Sequence, residues 1–508
     1  MTRNHGPRRK DKLSFAALLL LACFSGLLVA SPFAPLEWSP LALIALAPWL
    51  YLMESAGGKW AVLLPWFSVA VFFLALLYWI PRVMVVFGGL SWGISVPLYV
   101  LLCFALALFY LPAIIAFLFI RAMHPRFAYL LFPFGWVTCD LMRNFWMVNG
   151  FPWGGLGYSQ IDRLWAQTAD LGGIYLVTFV VVAVNGAVTY AWVHRSVWAP
   201  VSAAVVLLGV AGAYGLWRAT EPAPPSNLTV GVVQPAVELN PPTDAYLRQM
   251  HLVEIPAMTR QAASQGARLI VLPEVPSEFD YYRDSVFEET YNRLAAQHRV
   301  ALMLNNTTRK GGGEYYNSMV FLGPDGTARG RYDKIHLVPF GEYVPASGLL
   351  SFVSPLVREV SSFSRGGDIV VVDLGGVRVG GFICYEAVFP ELVRQFPASG
   401  AEVLVNITND AWYGPTAAAA QHFQMARMRA VETRRFLVRA ANSGISAVIE
   451  PTGTVKGRLN IFEKGTLVVG VRPLQGLTFY VRHGDLFAQF CVVVFVIGLL
   501  VERKSEKK

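Results

Sequence analysis

The sequence predicts a multi-pass α-helical membrane domain of about eight spans, joined to an α/β domain in which a sheet sandwich is covered by helices. Three observations predict it. Apolar residues make up 55% and charged residues 15% of the 508-residue chain, with a mean hydropathy of +0.46; ordinary soluble domains carry about a quarter charged residues. The apolar residues gather into runs of about twenty, the length that crosses a bilayer. The stretch 222–484 breaks this pattern, alternating short β-rich runs with helical ones.

The apolar runs come in order at 13–30, 39–54, 61–81, 91–120, 127–146, 172–193 and 198–217, with a last one at 485–501. The first run lacks a small-residue cleavage site and is followed by more, so it reads as a span and not as a signal peptide. Loop charges follow the count. Basic residues lie at Lys59, Arg121 to Arg126, and His194 to Arg195, while the linker 31–38 has none and the one after Tyr78 has only Arg82. Seven spans before the polar stretch and one after it place both basic tails in the cytoplasm by the positive-inside rule. Residues 218–484 then lie on the far side.

Within the polar stretch, the runs 227–234, 268–272, 300–305, 317–322, 377–384 and 402–408 read as strands. Helical stretches at 245–265, 284–298 and 416–434 separate several of them. Hairpin signals stand at Gly311 to Gly313, Pro324 to Gly326 and Pro451 to Gly453.

The net charge of +9 invites a nucleic-acid reading, but much of it sits in the two tails. No basic stripe interleaved with aromatics is present, which excludes a nucleic-acid groove. Four of the five cysteines fall in or near apolar runs, which excludes a disulfide framework. The eight histidines show no paired ligand spacing, so neither a metal nor an organic cofactor is expected. Gly311-Gly312-Gly313 lacks the lysine and hydroxyl of a phosphate loop.

Cys384 alone lies in the polar stretch, in Gly380-Gly381-Phe382-Ile383-Cys384-Tyr385-Glu386. Two further segments place reactive side chains at strand ends: Val271-Leu272-Pro273-Glu274, and Tyr332-Asp333-Lys334 leading on to Phe340-Gly341-Glu342. Each residue has a plainer reading by itself. A cysteine ending an apolar strand is usually core packing, Glu274 fits an ion pair or a helix cap, Lys334 a solvated surface, and Glu342 and Glu386 structural carboxylates. Together they suit nucleophilic chemistry. A thiol needs a base to attack at neutral pH, which Glu274 supplies, and an oxyanion needs a cation, which Lys334 supplies. The glycines before Cys384 leave room for a close approach by backbone or substrate.

These segments resemble the carbon-nitrogen hydrolase (nitrilase) superfamily, whose triad is Glu, Lys and Cys in that chain order. Within it they are most similar to the apolipoprotein N-acyltransferase family. Also similar are Gly150-Phe151-Pro152-Trp153 with Gly157-Tyr158-Ser159-Gln160, Ser361 to Gly366, Asn406 to Gly414, and Gln421-His422 through Arg427. The pattern departs at Leu239 to Thr243, where the family has a tryptophan, and at Asp140-Leu141 before Arg143, where it has an acidic-tryptophan pair.

The resemblance implies a nitrilase-type αββα sandwich facing the periplasm of a bacterial inner membrane. The divisions expected are 1–220 for seven spans, 221–484 for the catalytic domain, and 485–508 for the last span and cytoplasmic tail. It implies Glu274 as general base, Lys334 as oxyanion partner and Cys384 as nucleophile. Glu342, Tyr385 and Glu386 support the site, and Asn317 supports the lysine. The reaction implied passes an acyl chain from a phospholipid through a Cys384 thioester to the α-amino group of a diacylated apolipoprotein; nothing in the sequence demands more than a monomer. Such a donor needs a site at the bilayer surface. The apolar run at 349–353 with Leu356 reads either as core or as a lid guiding acyl chains, with Phe352, Leu356 and Trp153 as substrate contacts. Two rival readings share the sequence: a membrane-anchored amidase with the same triad, against which the number of spans weighs, and a transporter, against which the scarcity of charges within the spans weighs.

Overall fold

The computed structural model describes residues 13–505 apart from 147–148, 222–224, 241, 278, 312 and 344–362. Its first half is helical. It comprises α1 (Phe15–Ala30), α2 (Ala47–Ser55), α3 (Trp60–Leu76), α4 (Ile80–Val86), α5 (Trp92–Leu108), α6 (Leu111–Met123), α7 (Pro125–Trp146), α8 (Ala169–His194) and α9 (Trp198–Ala219). Two of the expected apolar runs are broken helices. α3 and α4 bend by 51°, and α5 and α6 by 42°. In both cases a proline near the start of the second helix, Pro81 or Pro112, suits a fresh N-terminus, where its missing N–H has no partner to lose. The run at 39–54 is a 3₁₀ turn followed by the short α2.

Residues 164–194 and α9 are each long and apolar enough to cross a membrane, and each bent pair adds one more if counted as a single span. α1 and the apolar part of the C-terminal helix are shorter. Leu20, Leu101, Leu130 and Val210 are 65–71% exposed, so the bundle presents large apolar side chains outward.

The second half is a sandwich of two six-stranded sheets. The first contains β1 (Leu228–Gln234), β2 (Leu269–Val271), β3 (Ala301–Arg309), β4 (Tyr315–Leu322), β5 (Ala328–Asp333) and β12 (Gly465–Val471), in the order β12-β1-β2-β3-β4-β5. The second contains β6 (Val371–Asp373), β7 (Arg378–Ile383), β8 (Val403–Thr408), β9 (Leu437–Ala441), β10 (Ser446–Ile449) and β11 (Val455–Leu459), in the order β11-β10-β9-β8-β7-β6. Each sheet has three parallel strands, β1-β2-β3 and β7-β8-β9, flanked by antiparallel ones.

The period of two decides which side chains meet. Val230, Val232, Met303 and Met319 join the cluster between the sheets with Phe382, Val405 and Val438. Val233, Ile270, Leu302 and Val320 join the helices outside. Those helices are α10 (Asp244–Gln249), running through the π-turn Met250–Glu254 into α11 (Ile255–Ser264), and α12 (Ser285–His298). On the second sheet's side lies α13 (Ala418–Thr433), which also packs against α8 and the turn Leu156–Gln160. The chain closes with α14 (Leu486–Ser505), against α7 and α8. α13 is thus shared between the halves.

The glycines before Cys384 serve this packing and not a substrate. A Cβ on Gly381 would lie 2.5 Å from Met319 Sδ of the facing sheet, and one on Gly380 would lie 3.0 Å from Phe396.

Candidate active site

Three strand ends converge. Glu274 follows β2, Lys334 follows β5 and Cys384 follows β7. Lys334 is 1% exposed, and its ammonium donates to Glu342 Oε1 at 2.8 Å with Glu274 Oε1 at 3.8 Å. Asn317 binds the two carboxylates together. Its Nδ2 donates to Glu274 Oε1 at 2.7 Å and to Glu342 Oε1 at 2.9 Å, while its Oδ1 accepts from Asn305 and so fixes the amide's orientation. Asn317, expected to support the lysine at one remove, meets it through these two carboxylates, and its backbone carbonyl accepts the Lys334 N–H at 2.9 Å. The remaining carboxylate oxygens take backbone donors: Asn409 N–H on Glu274 at 3.0 Å and Val338 N–H on Glu342 at 2.8 Å.

The electrostatics follow from this crowding. Burial raises the Glu274 pKa; Lys334 pulls it down, Glu342 pushes it up, and Asn317 and the Cys384 thiol stabilise the ionised form by hydrogen bonding. For Lys334, burial works to lower the pKa, but Glu342, Glu274 and Cys384 outweigh it, and the ammonium is held charged. Burial first, then the Glu274 charge, pushes the Cys384 thiol up to about 12, with Lys334 pulling the other way. At neutral pH the sulfur therefore carries its proton, and a base must remove it during attack.

Cys384 has a φ of +52°, in the left-handed region, which costs a non-glycine residue about 1–2 kcal/mol. It forms the elbow between β7 and the 3₁₀ turn Cys384–Val388. Glu386 clamps that elbow from one side. Its Oε2 accepts the Ile383 N–H at 2.7 Å, and its Oε1 accepts Ile335 N–H at 2.7 Å, His336 N–H at 3.0 Å and Tyr332 OH at 2.8 Å. One carboxylate therefore ties the cysteine turn to the segment after the lysine. Tyr385 points to the helical half, its hydroxyl 3.4 Å from the Gly150 carbonyl.

Beneath the elbow lies a charged cluster that has no role in the reading of the sequence. His422 on α13 places Nε2 3.2 Å from the Cys384 carbonyl and Nδ1 2.9 Å from Asp410 Oδ1. Arg439 on β9 donates to Asp410 Oδ2 at 2.7 Å and to Asn406. All four side chains are buried. The signal that finds them is a charge inside an apolar run, as in Leu437-Val438-Arg439-Ala440-Ala441, since a buried charge demands a partner.

Trp153, expected among the substrate contacts, is 1% exposed. Its indole N–H donates to Gln421 Oε1, and its ring lies 6.0 Å from that of His422. Phe352 and Leu356 lie outside the described residues. Among the described residues, no group of three or more His, Cys, Asp and Glu side chains could hold a metal ion.

A two-sheet sandwich with a carboxylate, an ammonium and a thiol at its strand ends is the architecture of a carbon-nitrogen hydrolase domain. The carbon-nitrogen hydrolase family model matches residues 229–475, and that of the apolipoprotein N-acyltransferase N-terminal domain matches 25–187. The chain is similar to the apolipoprotein N-acyltransferase of Geobacter metallireducens, 37% identical with 96% of each chain covered. Those of Azotobacter vinelandii (33%, 96% of each) and Vibrio cholerae (31%, 92% of this chain and 93% of the relative) are also similar. An amidase of the nitrilase superfamily from Nesterenkonia AN1 aligns with 53% of this chain and 100% of its own, at 22% identity and a TM-score of 0.41. The chain belongs to the apolipoprotein N-acyltransferase family.

Proposed function

We propose that this protein transfers an acyl chain from a phospholipid, through a thioester on Cys384, to the N-terminal amino group of diacylglyceryl-cysteine in apolipoproteins. Glu274 takes the thiol proton as Cys384 Sγ attacks the ester carbonyl. Lys334 and the Tyr385 N–H, at the open start of the 3₁₀ turn, stabilise the oxyanion. The C–O bond then breaks, and the proton passes from Glu274 to the departing lysophospholipid oxygen. In the second half, the lipoprotein amine attacks the thioester and Glu274 takes its proton. The C–S bond breaks, and the proton ends on Cys384, which restores the thiol. Glu342 keeps Lys334 charged and placed. Asn317 orients both carboxylates, and Glu386 and Tyr385 hold the elbow.

The observation that carries this reading is that the nucleophile's turn is docked on the helical half, through Tyr385 to Gly150 and through α13. Hydrolysis of a small soluble amide gains nothing from that arrangement. A donor that stays in the bilayer requires it. The outward apolar side chains of the bundle support a multi-pass domain in a membrane, which we read as the bacterial inner membrane. The division is 1–220, 221–484 and 485–508, with the catalytic domain on the periplasmic side and both tails in the cytoplasm.

Intact mass of the detergent-purified protein after incubation with phospholipid tests the proposal, with Cys384→Ala as control. The expected result is a gain of one acyl chain, labile to hydroxylamine and absent from the control. A folded protein that gains no acyl chain but releases ammonia from small amides would replace this reading with that of a membrane-anchored amidase.

A further inference from the structure

The strained elbow at Cys384 has a support that the reaction scheme leaves unused. The Cys384 carbonyl can only accept a hydrogen bond, and the side-chain donor beside it is His422 Nε2, at 3.2 Å. A proton on Nε2 makes this contact a hydrogen bond. In the neutral Nε2–H tautomer the bare Nδ1 accepts from Arg439 Nη2 at 3.1 Å while facing Asp410 Oδ1 at 2.9 Å. A second proton would let Nδ1 donate to Asp410 at 2.9 Å and would leave Nε2–H in place. Either way the donor to Cys384 is kept.

The imidazole is held on every side. Asp410, which faces it, is itself fixed by Arg439 at 2.7 Å and by Thr408 Oγ1 at 3.1 Å. The rings of Trp153 and Tyr413 flank it at 6.0 and 6.1 Å. The preceding residue, Gln421, is anchored in the helical half. Its Nε2 donates to the carbonyls of Ala34 (3.0 Å) and Leu76 (3.2 Å), and its Oε1 accepts from Trp153 (2.8 Å) and Trp79 (3.3 Å). Two adjacent residues of α13 therefore grip the membrane half and the nucleophile.

We propose that His422 is a positioning residue for Cys384: its Nε2–H holds the nucleophile's carbonyl, and Gln421 beside it registers that hold to the helical half. Without it the elbow relaxes toward ordinary backbone angles, and Sγ drifts from Glu274 and Lys334. A misplacement of about 1 Å costs on the order of 100-fold in rate. The inference rests on Cys384 being the acylated nucleophile.

The test uses the full-length protein in detergent and two acyl donors, a phospholipid and the small ester p-nitrophenyl acetate. His422→Gln keeps an amide N–H near the Nε2 position. His422→Asn reaches the Asp410 side only, and His422→Leu keeps bulk without a donor. The single-turnover rate of Cys384 acylation at saturating phospholipid is expected to fall about 10- to 100-fold in the Asn and Leu variants. The phospholipid concentration for half-maximal rate should stay unchanged, and the Gln variant should recover most of the rate. The p-nitrophenol burst should follow the same order. Equal rates in the Gln and Asn variants would overturn the inference, and that comparison stands even if the Leu variant does not fold. If only the small ester acylates the wild type, with the order Gln above Asn intact, the lipid reading fails and the positioning role survives.

Discussion

Trp153 in the helical half donates its indole N–H to Gln421 of α13 at 2.8 Å, joining positions 268 residues apart. The same Gln421 oxygen accepts from Trp79 at 3.3 Å. Replacing Trp153 by Phe keeps the aromatic volume and removes the better donor, at a cost of about 1 kcal/mol. Replacing it by Ala opens a cavity and costs about 3–5 kcal/mol. Thermal unfolding in detergent should rank wild type above Trp153→Phe above Trp153→Ala; a Phe variant as weak as the Ala variant would show that the hydrogen bond, not the ring, makes the joint.

Asn317 stabilises the ionised form of Glu274 by donating to it, and so holds its pKa down against burial. In Asn317→Leu that pull is gone and the Glu274 pKa rises. Since the base works ionised, the ascending limb of acylation rate against pH should move to higher pH. An unmoved limb would remove Asn317 from the control of the base.

Lys334 neutralises two carboxylates at once. Lys334→Met should lower acylation by about 100- to 1000-fold, the usual loss for one oxyanion donor. It should also destabilise the fold by about 3–5 kcal/mol, since buried charges are left unpaired. Adding Glu342→Gln should return much of the stability and none of the activity. Recovery of both would mean that the lysine only balances charge.

Glu386 accepts four donors, three of them backbone N–H groups. In Glu386→Gln an amide N–H must face one of these donors, leaving it buried and unsatisfied at about 1–3 kcal/mol. Because the clamp spans the Cys384 elbow and the segment after Lys334, acylation should fall with stability. Full activity in a destabilised Glu386→Gln protein would confine its role to folding.

The six strands legible in the sequence, β1 to β4, β7 and β8, all lie inside their sheets. The runs ending in Glu274 and Cys384 are strands because they are apolar and β-branched, and all three hairpin signals fall between paired strands. The four edge strands, β5, β6, β11 and β12, and the interior strands β9 and β10 escape that reading. β5 and β11 carry the charges that protect a free edge, and β6 has three residues. In the helical half, hydropathy counts apolar length but cannot register a bend. The runs at 61–81 and 91–120 read as single spans, although Pro81 and Pro112 let a new helix start in a new direction. Glu274, Lys334 and Cys384 stand out through residue type, strand-end position and the family resemblance, and the structure brings them together. The Asp410–His422–Arg439 cluster does not stand out, because its members draw meaning only from one another across a 3₁₀ turn, a helix and a strand.

The protonated state of Cys384 has a consequence beyond the reaction itself. Burial and the Glu274 charge push its pKa up, so the sulfur rests protonated at neutral pH. Oxidants and disulfides react with thiolates, so a sulfur that rests protonated offers them little to react with. The centre is chemically quiet at rest, and an enzyme so built can keep a lone cysteine reduced where a standing thiolate would be lost.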